Sequence, residues 1–365
     1  MLLVALMVTL GGFEVVLRLF LPQKLYRFPE GLFRNDPDLV FGLAPGFHGI
    51  LKNPEYTTDV RINALGLRGP LPGSKAAGDL RVLGLGDSFA SAFNMSEPQT
   101  FLSVAEASLR DQIPGRSVEV INAGTPNYGT WHELRLFKRL APQLEPDMAI
   151  LCVYVGNDLE NNANPSEGVV QDGFLTERQR HLGLLPYSLR TWLQRNSMAY
   201  VFLWRAWGQV RPWFGEPRDD PLKPDKELFA REQGTDQEAA YRVTLPILSE
   251  FKAETRRRGI PSLLVLIPTE YQVYPERFVE LVRKQGLDPS RFDLELPQRR
   301  WTEMASSAGI PVLDLLPTLR ARAGGPYLYM SLDGHLSVEG NHIAGVAIAE
   351  AVKSTLSDRK AEVAP

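Results

Sequence analysis

From Arg81 onward the apolar positions fall into short continuous runs separated by longer amphipathic stretches. The runs near 81–86, 118–122, 148–155, 262–267 and 311–315 have strand length and little polar alternation, as in strands buried on both faces. The stretches near 99–112, 131–140, 238–258, 298–308 and 339–355 carry helical periodicity. Strand and helix in alternation imply right-handed crossovers and a parallel sheet covered by helices. The expected fold is α/β: a flavodoxin-like three-layer α/β/α sandwich with a five-stranded parallel sheet in the order 2-1-3-4-5.

Residues 159–237 interrupt that rhythm, and a connection this long in a compact domain carries structure or function of its own. Within it, Pro186 to Phe214 gathers Trp192, Trp204, Trp207 and Trp213 among aliphatic residues, predicting one or two amphipathic helices. They read either as a lid or acyl-binding wall or as a helical hairpin sealing the core. Gly215 to Gln237 is rich in charge and proline and reads as an exposed loop. Ahead of the core, residues 23–57 read as an irregular linker packed on the domain, and Tyr56 to Asn63 as a short accessory strand. The expected organisation is a membrane anchor over 1–22, a linker and accessory segment over 23–80, a catalytic domain over 81–356 with its insertion, and a disordered tail over 357–365.

The anchor is read from Met1 to Phe13, which is almost continuously apolar, and from the apolar residues that resume between Val15 and Leu21. Together they reach the length of about 20 residues that spans a bilayer, with Glu14 and Arg18 placed near an interface. A cleaved signal peptide fits less well, lacking a basic start and a small-residue cleavage site, and a core or amphipathic helix is the third reading. Arg18, Lys24 and Arg27 just past the span do not favour an outward-facing domain by the positive-inside rule.

Composition removes several function classes. The net charge of −3 without a basic-aromatic patch argues against nucleic acid, and Arg256-Arg257-Arg258 reads as the basic end of a helix. Cys152 is the single cysteine, so no intramolecular disulfide or zinc cluster forms, and its apolar surroundings make it a buried small hydrophobe. Asp333 and His335 lack further ligands at zinc-like spacing. Gly84-Leu85-Gly86 lacks the third glycine of a dinucleotide loop. No cofactor is expected.

Chemistry concentrates at the ends of the predicted strands. Gly86-Asp87-Ser88-Phe89 puts a serine where a buried strand gives way to a helix, in the crevice where open α/β sheets bind ligands. The second strand leads into Asn122-Ala123-Gly124, where glycine lets a backbone N–H approach a ligand. The third leads into Gly156-Asn157-Asp158, whose Asn157 side chain is a second donor for a developing oxyanion, beside the N–H groups of Ser88 and Gly124. Near the end stands Asp333-Gly334-His335: the imidazole suits removal of the serine proton, and the carboxylate suits its orientation. Asp87 and Asp158 read as turn residues beside their functional neighbours, and Asp314 is the fallback acid. His48, His132, His181 and His342 read as surface or packing residues.

This ordered set of Ser, Gly, Asn and His resembles the four signature blocks of the SGNH (GDSL-type) hydrolase superfamily over residues 58–353. The lead-in Arg61 to Gly69 is similar to the segment before the catalytic domain in membrane-anchored bacterial members, which implies a periplasmic or cell-surface domain. The resemblance makes Ser88 the nucleophile, Gly124 and Asn157 part of the oxyanion hole, His335 the base and Asp333 its orienter. Asp333 lies two residues before His335 instead of the more usual three, a spacing similar to the branch that includes alginate O-acetylation proteins. In the third block Val155 occupies the usual glycine position, and the glycine has moved to Gly156. The implied function is a carboxylic-ester hydrolase working through an acyl-enzyme on Ser88, with an acylated small molecule, lipid or carbohydrate as substrate. The alternatives are an O-acyltransferase acting on an envelope or extracellular polysaccharide, and a non-catalytic scaffold that keeps the fold.

Overall fold

A computed structural model describes residues 1–23, 28–166, 168–171, 173–177, 187–210 and 223–363. The strands are β1 (Phe33–Asp36), β2 (Val40–Leu43), β3 (His48–Lys52), β4 (Thr57–Arg61), β5 (Leu80–Gly86), β6 (Val118–Gly124), β7 (Met148–Tyr154), β8 (Gly168–Gln171), β9 (Phe174–Glu177), β10 (Ser262–Ile267) and β11 (Val312–Asp314). The helices are α1 (Leu2–Phe20), α2 (Ser88–Ser91), α3 (Phe101–Gln112), α4 (Thr130–Leu144), α5 (Asp158–Ala163), α6 (Tyr187–Asn196), α7 (Met198–Val210), α8 (Lys223–Phe229), α9 (Thr235–Arg257), α10 (Glu270–Val273), α11 (Pro275–Lys284), α12 (Leu296–Ser307), α13 (Leu316–Arg320) and α14 (Val338–Val363).

The central sheet runs β11-β10-β7-β5-β6 with every pair parallel, which is the order 2-1-3-4-5 when its five strands are counted along the chain. Side chains alternate across a strand, so apolar runs without polar positions feed two cores. Leu83 and Leu85 of β5 join Leu151, Val153, Leu264 and Leu266 beneath α4, α9 and α12, where Phe137, Phe251 and Trp301 are buried. Leu80 and Val82 join Met148, Ile150, Val265 and Cys152 beneath α3 and α14, where Phe101, Leu102 and Ile348 are buried. This is a three-layer α/β/α sandwich.

The expected linker instead holds β1, β2 and β3, and β4 lies where the accessory strand was expected, so that two antiparallel hairpins form, β1–β2 and β3–β4. Phe33, Phe41, Leu43, Leu51 and Val60 from them are buried in the core under α4. The three strands β1, β2 and β3, of four or five residues, leave too short a pattern to be recognised among Pro and Gly. Asp36 fastens the first hairpin to α4 through two 2.7 Å bonds from Arg139, which hold its carboxyl down to about 2. At the other end, α14 continues to Val363, through most of the segment expected as a tail.

The insertion contributes the β8–β9 hairpin and the helices α6, α7 and α8. Trp213 lies outside the described residues, as do His181, Lys24 and Arg27, while α8 gives helix to part of the expected charged loop. Among the described residues no helix is long and apolar enough to cross a membrane, so the expected anchor over residues 1–22 is not supported. The two charges that interrupt the apolar run are engaged in protein contacts. Glu14 accepts from Ser197 Oγ at 3.0 Å and from the N–H groups of Met198 and Ala199 at 3.0 and 2.8 Å, at the start of α7. Arg18 pairs with Glu14 and donates to Asn196 O at 2.7 Å. A carboxylate at a helix N-terminus satisfies orphan N–H groups and favours the helix dipole, so α1 docks on the insertion through its polar residues as well as through Leu17.

Candidate active site

Ser88, Gly124 and Asn157 lie at or just past the carboxyl ends of β5, β6 and β7, and Asp333 and His335 lie in the loop between α13 and α14. β5 ends at Gly86, and Asp87 caps α2 by accepting the Phe89 N–H at 2.8 Å. Ser88 is thereby fixed as the first residue of a four-residue helix, with Phe89, Ala90 and Ser91 packed inward. The close fit of α2 on the sheet requires glycine at two positions. A Cβ on Gly86 would stand 2.7 Å from Ala90 Cβ, and one on Gly124 would meet the backbone of Ala90 and Ser91. Past α2, Ala92 adopts a left-handed φ of 43°, and the buried Arg68 guanidinium donates to the carbonyls of Ser91, Ala92 and Met95. Burial lowers the Arg68 pKa to about 10, which leaves it charged at neutral pH.

Ser88 meets residues distant in sequence. Its Oγ lies 2.8 Å from His335 Nε2, and His335 Nδ1 lies 2.6 Å from Asp333 Oδ1. The Asp333 side chain is fully buried, whereas that of His335 retains 21% exposure, enough to face a substrate. The imidazole packs against Phe89 at 4.6 Å between ring centres, and Phe89 stacks in turn on Tyr154 at 4.0 Å. A tight turn aims the pair: Met330 N–H donates to His335 O, Gly334 N–H donates to Met330 O, both at 2.8 Å, and Gly334 takes φ 80°. With only Gly334 between them, acid and base face each other across a turn that glycine permits.

The expected oxyanion donors are placed differently from one another. Asn157 follows β7, and its Nδ2 donates to Asp87 Oδ2 at 3.2 Å, which ties that amide to the serine turn. Asp87 is thus both the cap of α2 and a partner of Asn157. Gly124 requires a correction: its N–H donates to Asn122 Oδ1 at 2.9 Å and is not presented to a ligand. Gly124 is still within β6, in register with Gly86, and its lack of a side chain serves the approach of α2. Beneath the site, Glu133 and Asp158 are buried, and burial together with repulsion from Asp87 raises both carboxyls well above their usual range.

The remaining candidates lie in other surroundings. Asp314 accepts the Leu316 N–H at 2.9 Å at the start of α13 and lines a separate groove with Glu295 and Arg320. His132 is buried against Tyr128, and burial lowers its pKa to about 4. His48 pairs with Asp59 on the surface.

A cavity of about 20 Å³ opens beside Ser88, lined by Phe28, Leu51, Tyr56, Phe93, Asn94 and Pro126 together with Asp333 and His335. Three of these, Phe28, Leu51 and Tyr56, come from the segment read as a linker. Nothing in their sequence context marks them, because Leu51 and Tyr56 reach the site through the packing of the β3–β4 hairpin and Phe28 through the segment ahead of β1.

The α/β/α fold with its parallel five-stranded sheet is consistent with the SGNH hydrolase fold. Residues 224–364 match the family model of the SGNH hydrolase-like domain of acetyltransferase AlgX, so this part of the chain is similar to that domain. No curated protein matches the chain by sequence. Among solved structures it is similar to TesA, with 13% identity over 75% of this chain and 99% of that one and a TM-score of 0.40. It is also similar to the α/β hydrolase LAE5 from the metagenome of Lake Arreo, with 14% identity over 76% and 97% of the two chains and a TM-score of 0.44. A further similarity is to a catalytic mutant of Axe2, an acetylxylan esterase from Geobacillus stearothermophilus, with 13% identity over 76% and 96% and a TM-score of 0.40.

Proposed function

We propose that this protein transfers a short acyl group from an ester through a covalent intermediate on Ser88. The observation that carries the reading is the continuous chain from Asp333 Oδ1 through His335 to Ser88 Oγ, with links of 2.6 and 2.8 Å. His335 takes the serine proton as Oγ attacks the ester carbonyl, and Asp333 holds the Nδ1 side and stabilises the imidazolium. His335 then returns the proton to the leaving alcohol. In the second half it activates water or an acceptor hydroxyl, which attacks the acyl-enzyme and releases Ser88.

The acyl group is short because the cavity beside Ser88 holds about 20 Å³, space for little more than one water molecule. An acetyl group fits such a space, and a long acyl chain requires the aromatic wall to move. Two reactions share this site: hydrolysis, with water as acceptor, and O-acetyl transfer, with a sugar hydroxyl as acceptor. The transfer reading is favoured by the match of residues 224–364, which contain Asp333 and His335, to a domain described as an acetyltransferase.

A panel of aryl esters, run with and without an oligosaccharide acceptor, tests both parts. The expected result is that kcat/KM for acetate exceeds that for octanoate by at least about tenfold, since each unaccommodated methylene costs on the order of 1 kcal/mol. Acetylated oligosaccharide in the products identifies a transferase, and free acetate alone identifies an esterase. Faster turnover of octanoate contradicts the short-acyl reading.

Asn157 belongs to the same proposal as an oxyanion donor. Asn157→Ala is expected to lower kcat by on the order of a hundredfold or more with KM nearly constant, because such a donor acts mainly in the transition state and is worth roughly 3 kcal/mol. Steady-state kinetics on the acetate ester check this. A rise in KM alone assigns Asn157 to substrate binding.

A further inference from the structure

Glu55 stands in the turn of the β3–β4 hairpin, 278 residues before Asp333. Asn53 shapes that turn: its Oδ1 accepts the N–H groups of Glu55 and Tyr56 at 2.7 and 3.0 Å, and its own N–H donates to Tyr56 O at 3.0 Å. The Glu55 carboxylate is thereby carried across to the loop that holds the acid and the base. Its Oε1 accepts the Leu332 N–H at 3.0 Å, and its Oε2 accepts the Asp333 N–H at 2.8 Å. Each carboxylate oxygen receives one backbone donor, a two-point charge-assisted clasp.

The clasp completes the fixation of the loop. The bonds joining Met330, Gly334 and His335 close the turn on itself, but they do not tie the Leu332-Asp333 peptide to any other part of the protein. Glu55 supplies that tie at the residue whose carboxylate must stay 2.6 Å from His335 Nδ1. The neighbouring residues Leu51 and Tyr56 line the cavity beside Ser88, so the same hairpin both walls the site and braces it.

We propose that Glu55 is a positioning residue of the active site: it acts through the backbone of Leu332 and Asp333 to keep the Asp333–His335 pair aligned on Ser88. This inference rests on the serine acyl-transfer reading. It also makes the hairpin segment a working part of the catalytic unit.

The test uses the full chain and two probes, 4-nitrophenyl acetate for turnover and a fluorophosphonate for covalent labelling at Ser88. Labelling reads activation of the nucleophile independently of the acyl acceptor. Glu55→Gln keeps the size of the side chain but turns an amide NH₂ toward one of the two N–H donors. It is expected to lower kcat and the labelling rate together, by about 10- to 100-fold, as for a lost hydrogen bond to a charged group. KM and the thermal midpoint stay near those of the wild type. Glu55→Asp keeps both acceptor oxygens on a shorter arm and recovers part of the labelling rate. Wild-type labelling in Glu55→Gln overturns the proposal, as does a loss that scales with a lowered thermal midpoint in both variants. Ser88→Ala separates the two levels of the argument. If it is inert while Glu55→Gln is fully active, only the role of Glu55 fails; if it retains turnover, the serine reading fails.

Discussion

Ser88→Ala is expected to remove ester turnover by at least about a thousandfold while the protein folds as before. The hydroxyl is the only group on α2 placed 2.8 Å from His335 Nε2. Without it the imidazole has no side-chain nucleophile to activate. The structural cost is small. Ser88 Oγ makes its bond to His335 and a long one of 3.4 Å to Asp87, and loss of one hydroxyl costs about 1 kcal/mol. Turnover and thermal unfolding measured on the same preparation check the two halves of the expectation. Retention of more than about a tenth of the wild-type rate removes Ser88 from the mechanism, since a triad nucleophile contributes far more.

The second large effect concerns Asp333 and His335, which are expected to behave as one unit. His335→Ala removes the base, leaving Asp333 with nothing to orient. Asp333→Ala leaves an imidazole whose tautomer and direction are no longer set, so it loses most of the same rate. The double variant is therefore expected to be little worse than His335→Ala alone, a coupling of several kcal/mol in the activation free energy. Rates for the four proteins on one acetate ester complete the cycle. Fully additive losses mean that the 2.6 Å contact between Nδ1 and Oδ1 has no mechanistic weight. Asp314 is no substitute acid, because it is committed to the start of α13 beside a different groove.

The departures from the sequence reading have specific physical causes. Gly124 was expected to be a donor because glycine permits close approach, and the close approach exists, but α2 is what approaches. A one-dimensional pattern does not distinguish a glycine that admits a ligand from one that admits a helix. Glu14 and Arg18 counted as blemishes in an apolar span, whereas in the folded chain Glu14 engages the start of α7 and Arg18 the last residue of α6. The strands β1, β2 and β3 within residues 23–57 were missed because they are short and the core face they cover belongs to α4 and the sheet, whereas β4 falls where the accessory strand was expected.

The sequence by itself determined the layered α/β architecture, the strand order and the three loci at strand ends, because these follow from local quantities. Apolar runs of strand length, helical periodicity and the handedness of crossovers leave little freedom in how such a chain folds. The sequence also marked Ser88, where β5 gives way to a helix, and the Asp333-Gly334-His335 segment ahead of the last helix. Only the tertiary structure decided what surrounds them: the engagement of the Gly124 N–H by Asn122, the tie between Asn157 and Asp87, the aromatic wall and the Glu55 clasp. The Asn157–Asp87 and Glu55 contacts join groups 70 to 278 residues apart. They depend on the packing of hairpin, helix and loop at distances of about 3 Å, which no local pattern encodes.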